Sequence, residues 1–165
     1  VSLVLTAGAA AGCAAALGSG ILWLRRFYTV VTVSGTSMEP TFRQGDRVVV
    51  RRTGVRRLKC SSVVVVRDLT YIRGPLPHGA RLRRGDRQPA VSRTGPCLIK
   101  RVAALPGDPV PREGVPALRH VPETVVPAGR LVLLGDNRDA SYDSREHGYF
   151  FTDQLLGHVV GRLDG

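Results

Sequence analysis

A serine hydroxyl attacks a peptide carbonyl only when a neighbouring base takes its proton, so a candidate nucleophile has to be read together with its base. Ser37 lies in "VSGTSMEPT" (33–41), after a valine- and threonine-rich run and shortly before a proline. Histidine is the usual partner, yet no His or Asp precedes Ser37 in the chain. A triad of Ser37 with the downstream His147 and Asp143 is one alternative. Lysine is the other. Of the 24 cationic side chains only Lys59 and Lys100 are lysines, and Lys100 stands in "CLIKRVAALPGD" (97–108) among Leu98, Ile99, Val102 and Leu105. Apolar surroundings disfavour the charged ammonium, and only the neutral amine accepts a proton. For this stretch alone, a solvent-facing lysine on an edge strand is the plain alternative.

A third stretch, "LVLLGDNRDASYDSREHGYF" (131–150), sets Asp136, Asn137, Arg138, Asp139, Ser141, Asp143, Ser144 and Arg145 behind an apolar strand. Such a cluster is either a salt-bridged turn or the support that a Ser-Lys pair needs. That support is a hydroxyl to orient the amine and ion pairs to keep the strands in register.

These residues require a frame. Short β-branched runs at 28–33, 46–52, 61–68, 97–105, 130–135 and 155–163 alternate with Gly, Pro and Asp turn signals. They predict a mainly β domain, an antiparallel sheet or barrel. Residues 71–96, rich in Arg, Gly and Pro, read as a basic loop insertion, and the proline-studded 106–127 as a loop or loose hairpin. A chain of 165 residues holds one domain and a short appendage. The first 24 residues carry no charge; at about 1.5 Å per helical residue they can cross a ~30 Å hydrocarbon core. A transmembrane anchor over 1–24 is therefore expected ahead of a catalytic unit over 25–165. Arg25 and Arg26 follow the span directly, a bias that by itself puts the bulk of the chain in the cytoplasm.

The net charge of +11 suits an anionic partner. With aromatics at only 5%, platforms for base stacking are scarce, so membrane lipid is expected and nucleic acid is not. The histidines fall into no metal-ligand spacing and there is no CxxC. Cys60 and Cys97 are either a pair on neighbouring strands or two buried thiols.

The segments "SGTSMEPTF", "QGDRVVVRR", "LIKRVAALPGD" and "LLGDNRDASYDSREHGYF" together resemble, in order, the signature boxes of type I signal peptidases, membrane-bound proteases with a Ser-Lys dyad. The resemblance covers about Val30 to Leu163. It implies Ser37 as nucleophile, Lys100 as general base, and Ser141 as the hydroxyl that holds the amine. Asp136 with Arg101, and Asp143 with Arg145, are implied as supporting ion pairs. The Ser37 backbone N–H would enter the oxyanion hole near Gly35, where some members carry a hydroxyl. Val33, Met38, Phe42, Leu98 and Ile99 match substrate-pocket positions, which implies cleavage after small residues in Ala-x-Ala-type sites of precursors bearing signal or leader peptides. No metal or organic cofactor is implied. The family's location is the cytoplasmic membrane of a bacterium, single-pass, with the catalytic domain on the extracytoplasmic side; the Arg25–Arg26 bias opposes that topology. A dedicated maturation protease for a few partners, and an inactive membrane-tethered basic β module, are the alternative readings.

Overall fold

The computed structural model describes residues 24–67 and 97–163. The anchor expected over 1–24, apart from Leu24, and the basic insertion at 71–96 lie outside the described residues. Among those described, no helix is long and apolar enough to cross a membrane.

The chain forms one curled antiparallel sheet of seven strands: β1 (Tyr28–Thr32), β2 (Arg47–Arg51), β3 (Val63–Arg67), β4 (Cys97–Ala104), β5 (Arg130–Leu134), β6 (Phe150–Phe151) and β7 (Leu155–Leu163). The order across the sheet is β1-β2-β7-β3-β4-β5-β6. Six strands fall on the six β-branched runs of the sequence. β6, only two residues long, was not expected; it pairs with β5 through Leu131 opposite Phe150. Register shifts at Val49/Val50, Val65/Val66 and Val102/Ala104 interrupt the ladders. Such bulges increase local twist and curl the sheet.

Alternation along the strands divides the core. Val64, Val66, Val102, Leu131, Leu133 and Phe150 form one buried cluster with Leu58. Val48, Val50, Val65 and Ile99 form another with Val33 and Met38. The connection between β4 and β5 is a short irregular hairpin, in which Pro109 bridges Val125 and Val126 N–H donates to the Asp108 carbonyl at 2.8 Å. It buries Val110, Val115, Leu118 and Val126 against Val132. A proline-rich sequence hides this local core because its apolar residues have no regular period.

The register also decides the cysteine question. Cys97 opposes Arg67 at one end of β4, while Cys60 adjoins Ser61, whose N–H donates to the Val102 carbonyl toward the other end. Five residues of strand separate these points by about 17 Å, far beyond the ~7 Å limit between bridged α-carbons. Both thiols are free and exposed, so neither expected alternative holds. Cys60 instead donates to the Asp108 carboxylate at 3.2 Å.

Candidate active site

Residues 33–46 make a closed excursion between β1 and β2. Val33 N–H donates to the Asp46 carbonyl at 2.8 Å, and Gly45 N–H returns a bond to the Val33 carbonyl at 2.9 Å. Inside it, Gly35 has φ of +88°, a left-handed conformation that glycine adopts without steric cost. The following turn is closed by Glu39 N–H to Thr36 carbonyl at 3.1 Å and Phe42 N–H to Met38 carbonyl at 2.9 Å. The Glu39–Pro40 bond is cis. Ser37 is half-buried, and Met38, its neighbour, is 1% exposed.

Lys100 sits on an interior strand, between β3 and β5, and is 2% exposed. The edge-strand alternative is thereby excluded. Its Nζ donates to Ser141 Oγ at 2.8 Å. Ser141 Oγ in turn donates to Asp143 Oδ2 at 2.7 Å. With its single proton committed to the carboxylate, the Ser141 hydroxyl receives the lysine amine as an acceptor. Asp143 is fully buried and has further partners. Its Oδ2 accepts from Gly135 N–H at 2.7 Å and pairs with Arg145 Nη1 at 3.2 Å. Its Oδ1 accepts from Arg145 N–H at 3.1 Å, capping the one-turn helix α1 (Ser144–His147). A buried carboxylate so surrounded has its desolvation offset by hydrogen bonds and an opposite charge.

Gly135 joins the two halves of the site. A Cβ placed there would lie 2.1 Å from Ser141 Oγ and 2.7 Å from the Ser37 carbonyl oxygen. The same Ser37 carbonyl accepts from Asn137 N–H at 3.0 Å. The segment after β5 thus touches both Ser37 and the hydroxyl that holds Lys100.

The neighbouring residue Arg101 makes a different kind of contact. Its Nε donates to Asp136 Oδ1 at 2.7 Å and its Nη2 to Asp136 Oδ2 at 2.6 Å, a two-pronged ion pair. Nη1 reaches the Ser61 carbonyl at 2.8 Å. The guanidinium holds the Asp136 carboxyl below its ordinary range, with a further contribution from the Thr41 hydroxyl bonded to it.

Of the five candidate pocket residues, Val33, Met38, Ile99 and Phe42 meet in one apolar cluster beside Ser37. Leu98 packs instead against the other cluster, because successive side chains of β4 point to opposite faces. The His147 ring packs against Tyr142 and Phe150, with centroids 6.1 and 5.4 Å away. Asp143 meanwhile bonds Ser141, Gly135 and Arg145, so the His147–Asp143 triad has no geometric support. Sequence reasoning missed Thr41 and Gly135, and named Asn137 only as one member of the charge cluster, without its backbone contact to Ser37. A glycine closing an apolar strand directly before a charge cluster was the available signal for Gly135.

Comparison with known proteins identifies the family of the chain. The family model described as "Signal peptidase, peptidase S26" matches residues 4–116 and 113–163. The chain is 28% identical over 149 residues to "Probable signal peptidase I-1" of Synechocystis sp., a match covering 79% of this chain and 68% of that one. It is 29% identical over 149 residues to "Signal peptidase IB" of Staphylococcus aureus (strain COL), covering 82% and 77%. A mainly β antiparallel domain in which Gly135 packs between Ser37 and the Ser141 that bonds Lys100, matched by the family model along most of its length, belongs to the signal peptidase family, peptidase S26, and is a serine endopeptidase.

Proposed function

We propose that this chain removes signal or leader peptides from exported precursors, after small residues in Ala-x-Ala-type sites, with Ser37 as nucleophile and Lys100 as general base. The observation that carries the reading is the close packing at Gly135, where an added side chain would collide with both the Ser37 carbonyl and the Ser141 hydroxyl that bonds the buried Lys100 amine. Lys100 is buried, opposite Val64 on β3, and withdrawal from water favours a neutral amine. In the first step Lys100 takes the Ser37 proton as Oγ bonds to the scissile carbonyl carbon. The Ser37 N–H, which has no acceptor among the described residues, donates to the developing oxyanion beside the open Gly35 turn. The protonated lysine then gives its proton to the departing amine, leaving an ester on Ser37. A water deprotonated by Lys100 hydrolyses that ester and restores both groups. Asp136 with Arg101, and Asp143 with Arg145, keep the strands and the Ser141 hydroxyl in place. Val33, Met38, Phe42 and Ile99 supply an apolar wall that admits small side chains, with Leu98 at the neighbouring position of β4.

Several features support a membrane setting for a unit running from residue 25 onward. Leu24, Phe27, Val30, Val160 and Leu163 are exposed apolar side chains at the β1–β2–β7 end of the sheet. Arg25, Arg26, Arg47 and Arg162 are exposed among them. Exposed apolar side chains with arginines beside them, at both ends of these strands, suit an anionic bilayer surface. An anchor at 1–24 with the catalytic domain on the extracytoplasmic face completes the proposal.

The test is cleavage of a precursor with an Ala-x-Ala site by detergent-solubilised protein. Ser37→Ala and Lys100→Ala are each expected to lower the rate by roughly three orders of magnitude or more. The wild-type rate should rise with pH as the amine loses its proton. Cleavage that survives either substitution, or a rate governed by a group titrating near pH ~4 as a carboxyl does, would overturn the dyad.

A further inference from the structure

Thr41 lies four residues beyond Ser37 on the same turn, and its side chain is inserted into the Arg101–Asp136 ion pair. Its Oγ1 donates to Asp136 Oδ2 at 2.5 Å, and the same oxygen accepts from Arg101 Nη2 at 3.3 Å. The residue next to Asp136, Asn137, donates its N–H to the Ser37 carbonyl at 3.0 Å. Two consecutive residues after β5 therefore hold both ends of the Ser37–Thr41 turn, one through backbone and one through a side-chain hydroxyl. Arg101 follows Lys100 on β4, so the ion pair fixes this turn relative to the strand that carries the proposed base.

We propose that Thr41 is a positioning residue for the hydrolytic reaction: its hydroxyl fastens the Ser37 turn to the Arg101–Asp136 pair and so sets the nucleophile against Lys100. This rests on the Ser-Lys reading above. Thr41 touches neither substrate nor the reacting atoms, and its side chain is outside the apolar core. Its contribution is geometric, and small misplacements of reacting groups are costly: about 1 Å can cost on the order of a hundredfold in rate.

Thr41→Val keeps the shape and removes both hydrogen bonds, whereas Thr41→Ser keeps both bonds and removes the methyl group. With the Ala-x-Ala precursor, Thr41→Val should lower kcat roughly tenfold or more while KM stays near the wild-type value, the size expected for a bond to a charged group. Thr41→Ser should recover most of that loss. In an Asp136→Asn background, Thr41→Val should cost little further, because the bond it removes is already weakened. Thermal melts of all variants separate loss of fold from loss of rate. An unchanged kcat in Thr41→Val, equal losses in the Val and Ser variants, or a full additional loss in the Asp136→Asn background would overturn the inference while leaving the dyad standing. Persistent cleavage by Ser37→Ala, measured in parallel, would instead remove the dyad on which it rests.

Discussion

Lys100 and Arg101 are consecutive cations on one strand, and alternation sends them to opposite faces with opposite duties. Lys100 is buried and hands its amine to a neutral hydroxyl. Arg101 is about one-third exposed and binds a carboxylate with two prongs. Arginine keeps its proton at any pH a protein survives, so it serves as a fixed charge; lysine can lose its proton when water is withdrawn. A chain that otherwise uses arginine almost throughout has lysine at the position where proton transfer is proposed.

The sharpest way to break this contrast is Lys100→Arg. If the buried position needs a removable proton, the substitution should abolish cleavage, by roughly three orders of magnitude, although charge and length are nearly kept. Retained activity in the precursor assay would mean that the site asks only for a cation. Next comes Gly135→Ala. The added methyl must collide with Ser141 and with the Ser37 backbone, and a shift of about 1 Å predicts a rate loss on the order of a hundredfold. A crystal structure of the variant should show Ser141 or the Ser37 turn displaced.

The smallest effect belongs to the Arg101 face. Asp136→Asn should destabilise the domain by about 1 to 2 kcal/mol, the lower part of the range for charged hydrogen bonds because the pair is partly solvated. The folded-state pKa of Asp136 is lowered from its ordinary value of 3.8. Its contribution is therefore complete above that value and is lost as pH falls through the lower, folded-state pKa. Urea titrations from neutral pH down to about pH 3 should show the wild type losing its advantage over Asp136→Asn at the acid end. A constant difference across that range would assign the stabilisation to packing instead of charge.

Much of this was legible in the sequence, for physical reasons that differ by residue. The valine runs gave six strands because β-branched side chains suit a half-buried pleated surface. Lys100 was legible only in company: its apolar neighbours fit a surface lysine on an edge strand as well, and the charge cluster behind β5 together with the family resemblance singled it out. The period of two along β4 also implied that Leu98 shares a face with Lys100 and Ile99 with Arg101, although both apolar residues had been assigned to one pocket. Thr41 was not legible: a threonine after proline is ordinary turn chemistry, and its meaning depends on Asp136, 95 positions away in sequence. β6 escaped because two phenylalanines are too short a run to display a period. The cysteines escaped because only strand register tells a neighbour from a residue at the far end.

The sheet order carries a consequence in time. Among the described strands β7 is synthesised after the other six, yet it lies in the interior of the sheet, between β2 and β3. Before it leaves the ribosome, the hairpin that bears Ser37 and the strands that bear Lys100 share no ladder. The seam between them closes only when residues 155–163 slot in, with Gly157 passing so close to the Arg51 carbonyl that a methyl group would sit 2.2 Å from it. A nascent chain thus carries both halves of the proposed dyad before β7 supplies the ladder that joins them.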